Sequence, residues 1–240
     1  MKLKDICIIL VNPESPGNIG AAARAMKTSG LSDMRLVNPC ETDHADVRKL
    51  AHRSRDIVDK AAHFTNLDDA LADCHLVIGT TMRRRHNKFP NFNPDEVVEK
   101  VFEIADGLRA AFVFGNERNG LTNEQLNLCG VHSTIPTATQ NPALNLSQAV
   151  MLFGNTLYCR SLQQTPRYQY QPAAQHELKA FYDHLEKAIR ATRFKPRDDM
   201  KTFLSRFKRL IGRAQPEQRD INMLHKIIQI LEPGKYSREE

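Results

Sequence analysis

One arginine stands within an alanine-rich segment, NPESPGNIGAAARAMKTSGL, which spans residues 12–31. Arg24 falls in a predicted helix that starts near Asn18, and a guanidinium is too costly to bury without an anionic or polar partner. The Asn-Ile-Gly turn leaves backbone N–H groups unpaired at the positive end of this helix, which favours an anion such as phosphate. We therefore predict that Arg24 and Asn18 face one anion. A plain strand-to-helix connection is the alternative interpretation of the turn.

Two further segments place polar side chains directly after apolar runs. FVFGNERNGLTNEQL (112–126) puts Gly115 at the end of a predicted strand, followed by Glu117 beside Arg118. A glycine lets a ligand approach the backbone closely, so this segment is predicted to form a pocket wall. PTATQNPALNLSQAVMLF (136–153) puts Asn145 at a predicted helix start, and taken alone this position favours a helix cap.

A strongly basic segment, GTTMRRRHNKFPNF (79–92), leaves the end of another predicted strand. Open α/β sheets place their ligands at such strand ends. A basic loop with aromatic neighbours suits RNA phosphates and bases, and a solvated loop is the alternative. The side chains predicted to contact RNA here are Arg83, Arg84, Arg85 and Lys88.

The elements that position these segments alternate along the chain. Apolar runs predict strands at residues 6–11, 34–38, 75–80, 110–115 and 132–136. Helical patterns fall at residues 18–29, 44–53, 67–73, 94–106, 123–129 and 145–162, with Pro94 in a first turn and a capping box from Thr122 to Gln125. Most of the strands are apolar on both faces, which indicates a parallel sheet covered by helices. The fold class is therefore α/β.

The charge distribution separates a second, smaller module from this α/β domain. Residues 1–163 carry 18 basic and 18 acidic side chains, whereas residues 164–240 carry 16 basic and 10 acidic ones. We predict a first domain at 1–163, a proline-containing linker at 164–175 and a basic helical module at 176–240. Amphipathic patterns near 175–193, 199–213 and 216–231 predict its helices. Arg206, Lys208 and Arg209 are its predicted RNA contacts.

Composition excludes several classes of protein. The chain has 240 residues, of which 41% are hydrophobic, so a wholly disordered chain is unfavourable. Its five cysteines are scattered without a Cys-x-x-Cys pair, so neither a disulfide framework nor a zinc site is expected. No run approaches the length of a membrane helix, and the first residues lack a signal-peptide cleavage site, so we expect a cytoplasmic protein. The missing Gly-x-Gly-x-x-Gly argues against a dinucleotide-binding enzyme.

Three segments together resemble the signature motifs of the SpoU branch of the SPOUT class of RNA methyltransferases: NIGAAARAM, FGNERNGLTNEQL and ALNLSQAV. GLSDMRLVNP, LDDALADCHLVIGTT, FYDHLEKAIRATRF and RFKRLIGRAQPEQRDINML are similar to bacterial tRNA 2′-O-methyltransferases that act on the first residue of the anticodon loop. The resemblance covers nearly the whole chain. It implies a parallel sheet whose last part forms a deep trefoil knot, and a homodimer with its active site at the subunit interface.

The resemblance also implies a cofactor and a set of site residues. S-adenosyl-L-methionine would be held by backbone groups of three loops, with no metal: Thr80, Thr81 and Met82; Gly115 with Glu117 nearby; and Ile135 with Pro142, Ala143 and Leu144. Arg24 matches the arginine given the catalytic role in this family. Asn18, Glu117 and Asn145 would orient the ribose, its hydroxyl or Arg24.

These features together predict an enzyme that methylates the 2′-hydroxyl of a cytidine or uridine in the tRNA anticodon loop. Two alternatives stay open at this point. The RNA substrate of the enzyme can be ribosomal RNA. The chain can also be an RNA-binding protein on a catalytically weakened fold, because Ala143 stands where the family commonly has a serine.

Overall fold

A parallel β-sheet forms the centre of the protein in the computed structural model, which describes residues 1–82, 90–138, 144–163 and 171–232. Within these residues the sheet has seven strands in the order β3-β2-β1-β6-β4-β7-β5. Every recorded strand pairing is parallel. The strands are β1 (Ile6–Val11), β2 (Asp33–Val37), β3 (Ala62–Phe64), β4 (Leu76–Thr80), β5 (Asn91–Phe92), β6 (Ala110–Phe114) and β7 (Val131–Ser133).

Helices cover both faces of the sheet. They are α1 (Pro16–Thr28), α2 (Ala45–Ala51), α3 (Arg55–Asp59), α4 (Leu67–Leu71), α5 (Pro94–Glu103), α6 (Asn123–Leu128) and α7 (Leu146–Ser161). In β1, Ile6, Ile8 and Leu10 belong to the core under α1, α2, α3, α5 and α7, while the alternate side chains belong to the core under α4 and α6. Burial on both faces explains why these strands are continuously apolar.

Close helix packing explains the alanine-rich sequence of α1. A Cβ at Gly20 would lie 2.6 Å from the carbonyl oxygen of Val47 in α2. On the α7 side, a Cβ at Gly154 would lie 2.7 Å from the hydroxyl of Ser29, directly after α1. Even a methyl group at Gly20 or Gly154 would separate α1 from its neighbours, so these glycines let α1 contact both helices closely.

The C-terminal part consists of α8 (Gln175–Arg190), α9 (Met200–Ala214) and α10 (Gln218–Leu231) around a small core that contains Phe181. It contacts the sheet domain where the Gln175 N–H donates to the Cys74 carbonyl at 2.8 Å. His176 Nδ1 also lies 2.8 Å from the Ala72 carbonyl oxygen. Both carbonyls precede β4, so the helical module attaches at the amino-terminal edge of the sheet, beside α4.

The structure confirms the α/β class, the parallel sheet and the C-terminal helices. All five predicted strands and all nine predicted helices are present within a few residues of their predicted bounds. The short elements β3, β5 and α3 were not predicted, because β3 exposes polar residues such as His63 and β5 has only two residues. Among the described residues, no helix has the length and apolar character needed to span a bilayer.

Candidate functional site

Three side chains from distant parts of the sequence form one hydrogen-bonded cluster. Asn18 lies in the first turn of α1, Glu117 follows β6, and Asn145 precedes α7. Asn18 Nδ2 donates to Glu117 Oε1 at 2.7 Å, and Asn145 Nδ2 donates to Asn18 Oδ1 at 2.9 Å. The structure therefore brings together three of the four predicted catalytic residues.

Glu117 anchors this cluster to the start of α1. Its carboxylate accepts hydrogen bonds from the backbone N–H groups of Glu14, at 3.0 Å, and Ser15, at 3.2 Å. Partial desolvation raises the pKa of Glu117, but the hydrogen bonds from Asn18 and these backbone groups outweigh it and hold the pKa below its usual value. The N–H groups of Glu14 and Ser15 thus bind the chain's own carboxylate, and the anion site at residues 16–20 stays a prediction.

Asn145 serves both as a helix cap and as a member of the cluster. Its Oδ1 accepts from the N–H and the hydroxyl of Ser147, at 2.9 and 2.7 Å, and its own N–H donates to Gln148 Oε1. This confirms the predicted cap. Since the cap uses only the carbonyl end of the amide, Nδ2 is left to bind Asn18.

Arg24 is exposed, so its guanidinium does not need a partner within the chain. It lies six residues after Asn18, about 9 Å along the helix axis. Among the described residues its guanidinium has no hydrogen-bond or ion-pair partner. The neighbouring alanines pack on α2 and α7, and Arg24 occupies the open side of α1, where an external anion can reach it.

The loop after β6 is closed by backbone contacts that exclude any side chain at Gly115. A Cβ there would lie 2.1 Å from the carbonyl carbon of Gly120 and 2.2 Å from the nitrogen of Leu121. The Gly120 N–H donates to the Asn116 carbonyl, and the Asn119 N–H donates to Asn116 Oδ1. This tight loop fixes the position of Glu117.

The predicted cofactor residues lie at the carboxyl ends of three adjacent strands, β6, β4 and β7. Thr80 Oγ1 donates to the Val113 carbonyl at 2.9 Å, and the Thr81 N–H donates to the Ser133 carbonyl at 3.0 Å. Thr80, Thr81, Met82, Gly115, Ile135 and Leu144 are half-buried. Backbone groups between partly buried apolar side chains suit a nucleoside-containing cofactor such as S-adenosyl-L-methionine. Pro142 and Ala143 lie outside the described residues.

The predicted RNA contacts fall into two groups. Arg83, Arg84, Arg85 and Lys88 lie outside the described residues. The others lie on α9, in the helical module: Arg206 forms an ion pair with Asp198, Lys208 lies 5.1 Å from the centre of the Tyr182 ring, and Arg209 is half-buried. The structure therefore does not bring the α9 residues together with the Asn18 cluster. In the described part of the chain no side-chain group suited to a metal ion is found.

Two residues of the site were not predicted from the sequence. Glu14 contributes its backbone N–H to Glu117 and its carboxylate to Asn116 and Arg118. Asn116 closes the loop through its side chain. A glutamate three residues after a buried strand, in the segment that leads into a helix, is the signal that could have identified Glu14.

Comparison with known families gives two matches along the chain. Residues 5–154 match the SpoU rRNA Methylase family. Residues 176–239 match the family described as tRNA methyltransferase TrmJ, C-terminal domain. The two matches lie in the sheet domain with its site and in the helical module, respectively.

Individual proteins are similar over nearly the full length. A tRNA (cytidine/uridine-2′-O-)-methyltransferase TrmJ of Sodalis glossinidius (strain morsitans) is 37% identical over 236 residues, which span 96% of this chain and 92% of that protein. The crystal structure of TrmJ from Z. mobilis ZM4 superposes with a TM-score of 0.80 at 30% identity, over 94% of this chain and 98% of that one. A probable methylase family protein from Haemophilus influenzae Rd KW20 superposes with a TM-score of 0.65 at 35% identity, over 96% of this chain and 97% of that one.

Proposed function

Because the chain belongs to the SpoU rRNA methylase family, we propose that it transfers a methyl group from S-adenosyl-L-methionine to the 2′-hydroxyl of a cytidine or uridine in tRNA. The proposed target is the first residue of the anticodon loop. The observation that carries the proposal is the hydrogen-bonded chain Glu117–Asn18–Asn145, which joins all three motif segments at one place. Similarity to tRNA methyltransferases over both the sheet domain and the helical module favours tRNA over ribosomal RNA.

Arg24 supplies the positive charge of the proposed reaction. A ribose 2′-oxygen must be aligned with the methyl donor and stabilised as it loses its proton. The exposed guanidinium of Arg24 can bind the adjacent RNA phosphate and stabilise that developing charge. It is a poor general base because it stays protonated at neutral pH, so its role is electrostatic and positional.

The asparagine pair orients polar groups of the substrate at the start of α1. Each side-chain amide carries two N–H donors, and the cluster uses one from Asn18 and one from Asn145. The second donor of each amide can hold a ribose or phosphate oxygen. Glu117 fixes Asn18 in place, because its carboxylate is itself held by two backbone N–H groups.

The three strand ends hold the cofactor in this proposal. It would be bound mainly through backbone groups of Thr80, Thr81, Met82, Gly115, Ile135 and residues 142–144. S-adenosyl-L-methionine supplies an electrophilic methyl group on its sulfonium sulfur. The tight loop at Gly115 keeps the wall of this pocket fixed, so binding does not require the loop to be ordered first.

A homodimer is also proposed, with the active site at the subunit interface. The exposed side of α7 presents Leu152 and Tyr158, and Leu162 follows the helix directly; their exposed fractions are 44%, 42% and 66%. These apolar side chains lie on a helix that packs on α1, the helix of Arg24. Covering this face with a second copy would bury the apolar side chains and bring partner residues towards Arg24. The cytoplasmic location stays a prediction.

A methyl-transfer assay with unmodified tRNA and ribosomal RNA tests the proposal. We expect radiolabelled methyl groups on tRNA, mapped by mass spectrometry to a ribose at the start of the anticodon loop. Arg24→Ala and Arg24→Lys should both lose transfer while keeping cofactor binding, because an ammonium lacks the planar fork of the guanidinium. Arg55→Ala, at an exposed and ion-paired arginine of α3, is the matched control.

Three outcomes would contradict the proposal in different ways. Methylation of ribosomal RNA alone would show that ribosomal RNA, the alternative substrate, is the correct one. Normal turnover of both Arg24 variants would remove the catalytic role of Arg24. RNA binding without any methyl transfer by the wild type would favour the RNA-binding alternative.

A further inference from the structure

Glu14 and Arg118 form an ion pair at the rim of the Asn18 cluster. Arg118 Nε lies 2.9 Å from Glu14 Oε2, and Asn116 Nδ2 donates to Glu14 Oε1 at 3.3 Å. Glu14 thus holds two residues of the loop that carries Glu117. The Arg118 side chain is 81% exposed, so most of its guanidinium donors face solvent.

The backbone under Arg118 is fixed although the side chain is exposed. Glu117 precedes it directly and is held by three hydrogen bonds, from Asn18, Glu14 and Ser15. On the other side, the Gly120 N–H closes the loop on the Asn116 carbonyl at 2.9 Å. Arg118 is therefore an exposed cation on a rigid base, one residue away from a side chain of the site.

The pair with Glu14 is easily exchanged for another anion. Exposed ion pairs contribute little stability because water and salt screen them. An RNA phosphate offers a guanidinium two acceptor oxygens in bidentate geometry and retains its charge at every working pH. When RNA arrives, exchanging Glu14 for a phosphate leaves Glu14 its hydrogen bond from Asn116.

We propose that Arg118 binds a phosphate of the substrate RNA beside the reacting nucleotide, and that Glu14 positions Arg118 in the free protein until the phosphate replaces it. This inference rests on the proposed function, because it takes RNA as the substrate. In this arrangement Arg118 is an RNA contact and Glu14 is a positioning residue. Glu14 also competes with RNA for the same guanidinium, so removal of its charge is predicted to increase the affinity for RNA.

Binding of unmodified tRNA by the full-length protein, titrated over a range of salt concentrations, tests this inference. Arg118→Ala should weaken binding roughly tenfold at low salt and reduce the slope of log K against log salt by roughly 0.7 to 0.9, the value for one phosphate contact. Its KM for RNA should rise more than its kcat falls. Cofactor affinity should stay at the wild-type value.

Glu14→Gln gives the complementary result. It keeps the backbone N–H that binds Glu117 and an acceptor for Asn116, but it removes the competing charge. We expect RNA binding to tighten roughly two- to fivefold, in line with the loss of a weak exposed pair. The double variant with Arg118→Ala should bind RNA like Arg118→Ala alone. Arg55→Ala serves again as the control and should change neither affinity nor slope.

The outcomes separate this inference from the proposed function. Wild-type protein that neither binds nor methylates RNA would overturn both. Wild-type binding with an unchanged affinity and slope in Arg118→Ala would overturn the phosphate contact alone. If Glu14→Gln weakened RNA binding as much as Arg118→Ala, the ion pair would serve only to hold Arg118 in place. The proposed competition between Glu14 and RNA phosphate would then be refuted.

Discussion

Gly115→Ala tests whether the closed loop after β6 determines the geometry of the whole site. The added Cβ would lie 2.1 Å from the carbonyl carbon of Gly120, 2.2 Å from the nitrogen of Leu121 and 2.5 Å from the Gly120 oxygen. Carbon atoms in contact prefer about 3.5–4.0 Å, so the nearest contact is short by about 1.4 Å or more. All three atoms belong to the backbone, and no side-chain rotation can relieve the clash.

The loop must therefore open, and the free-energy cost follows from the hydrogen bonds that are broken and the strain that remains. Opening breaks the Gly120–Asn116 backbone hydrogen bond and the bond from Asn119 to Asn116, each with a net value of about 1 kcal/mol. Residual strain from overpacking adds about 1–3 kcal/mol. We expect about 3 kcal/mol of destabilisation or more, which lowers the melting temperature of a chain of this size by roughly 6–12 °C.

Thermal unfolding followed by circular dichroism measures the stability of the protein. Calorimetry with S-adenosyl-L-methionine measures the cofactor affinity of the proposed pocket. Gly115→Ala should lose both stability and cofactor affinity, because the loop carries Glu117 and a pocket wall. Gly130→Ala is the control, since its Cβ would lie 3.9 Å from the nearest atoms, an ordinary contact. A melting temperature within about 2 °C of wild type for Gly115→Ala, with normal cofactor binding, would refute this reasoning.

Three further predictions concern other parts of the chain. The folded pKa of Glu117 lies below its unfolded value, so its contribution to stability is complete above about pH 4.3 and is lost as the pH falls through the folded pKa. The difference in melting temperature between wild type and Glu117→Gln should therefore shrink below about pH 4, and a constant difference would contradict this. Ala143→Ser should change the rate of methyl transfer by no more than about tenfold, because one typical hydrogen bond is worth about 1 kcal/mol, and a silent wild type with an active variant would show that the hydroxyl is required. Removal of residues 164–240 should weaken tRNA binding and flatten its salt dependence while cofactor binding persists, and an unchanged salt slope would count against this role of the basic module.

The regular elements were predictable because their local signals agree with their packing. ICIILV is apolar on both faces and forms β1, buried on both faces, and α1 starts at Pro16, two residues before its predicted start. The capping boxes of α6 and α7 follow from Thr122 and Asn145 at their starts. The strand β3 was not predicted because it lies at the edge of the sheet and its side chains are largely exposed. It therefore does not need the apolar sequence that marks the other strands.

The geometry of the site was beyond local reasoning. Asn18 is 99 residues from Glu117 and 127 residues from Asn145, and nothing in their spacing places them in contact. Their grouping, like the expected knot, came only from the resemblance of three motifs to one family. Arg24 is exposed although its alanine neighbours are buried, because the tight packing of α1 on two helices leaves a third side open to solvent.

The first residues of α8 and the predicted cofactor residues lie at opposite ends of β4, whereas α9 packs along α6. The start of α8 contacts the segment before β4, while the cofactor residues follow Thr80 at the other end of that strand. Five residues of parallel strand separate the two ends by about 17 Å. On α9, Arg206, Lys208 and Arg209 form no hydrogen bond or ion pair with the Asn18 cluster among the described residues, so we expect them to bind other parts of a long RNA. Substitutions in α9 should for this reason raise the KM for RNA, whereas substitutions of Arg24 should lower kcat.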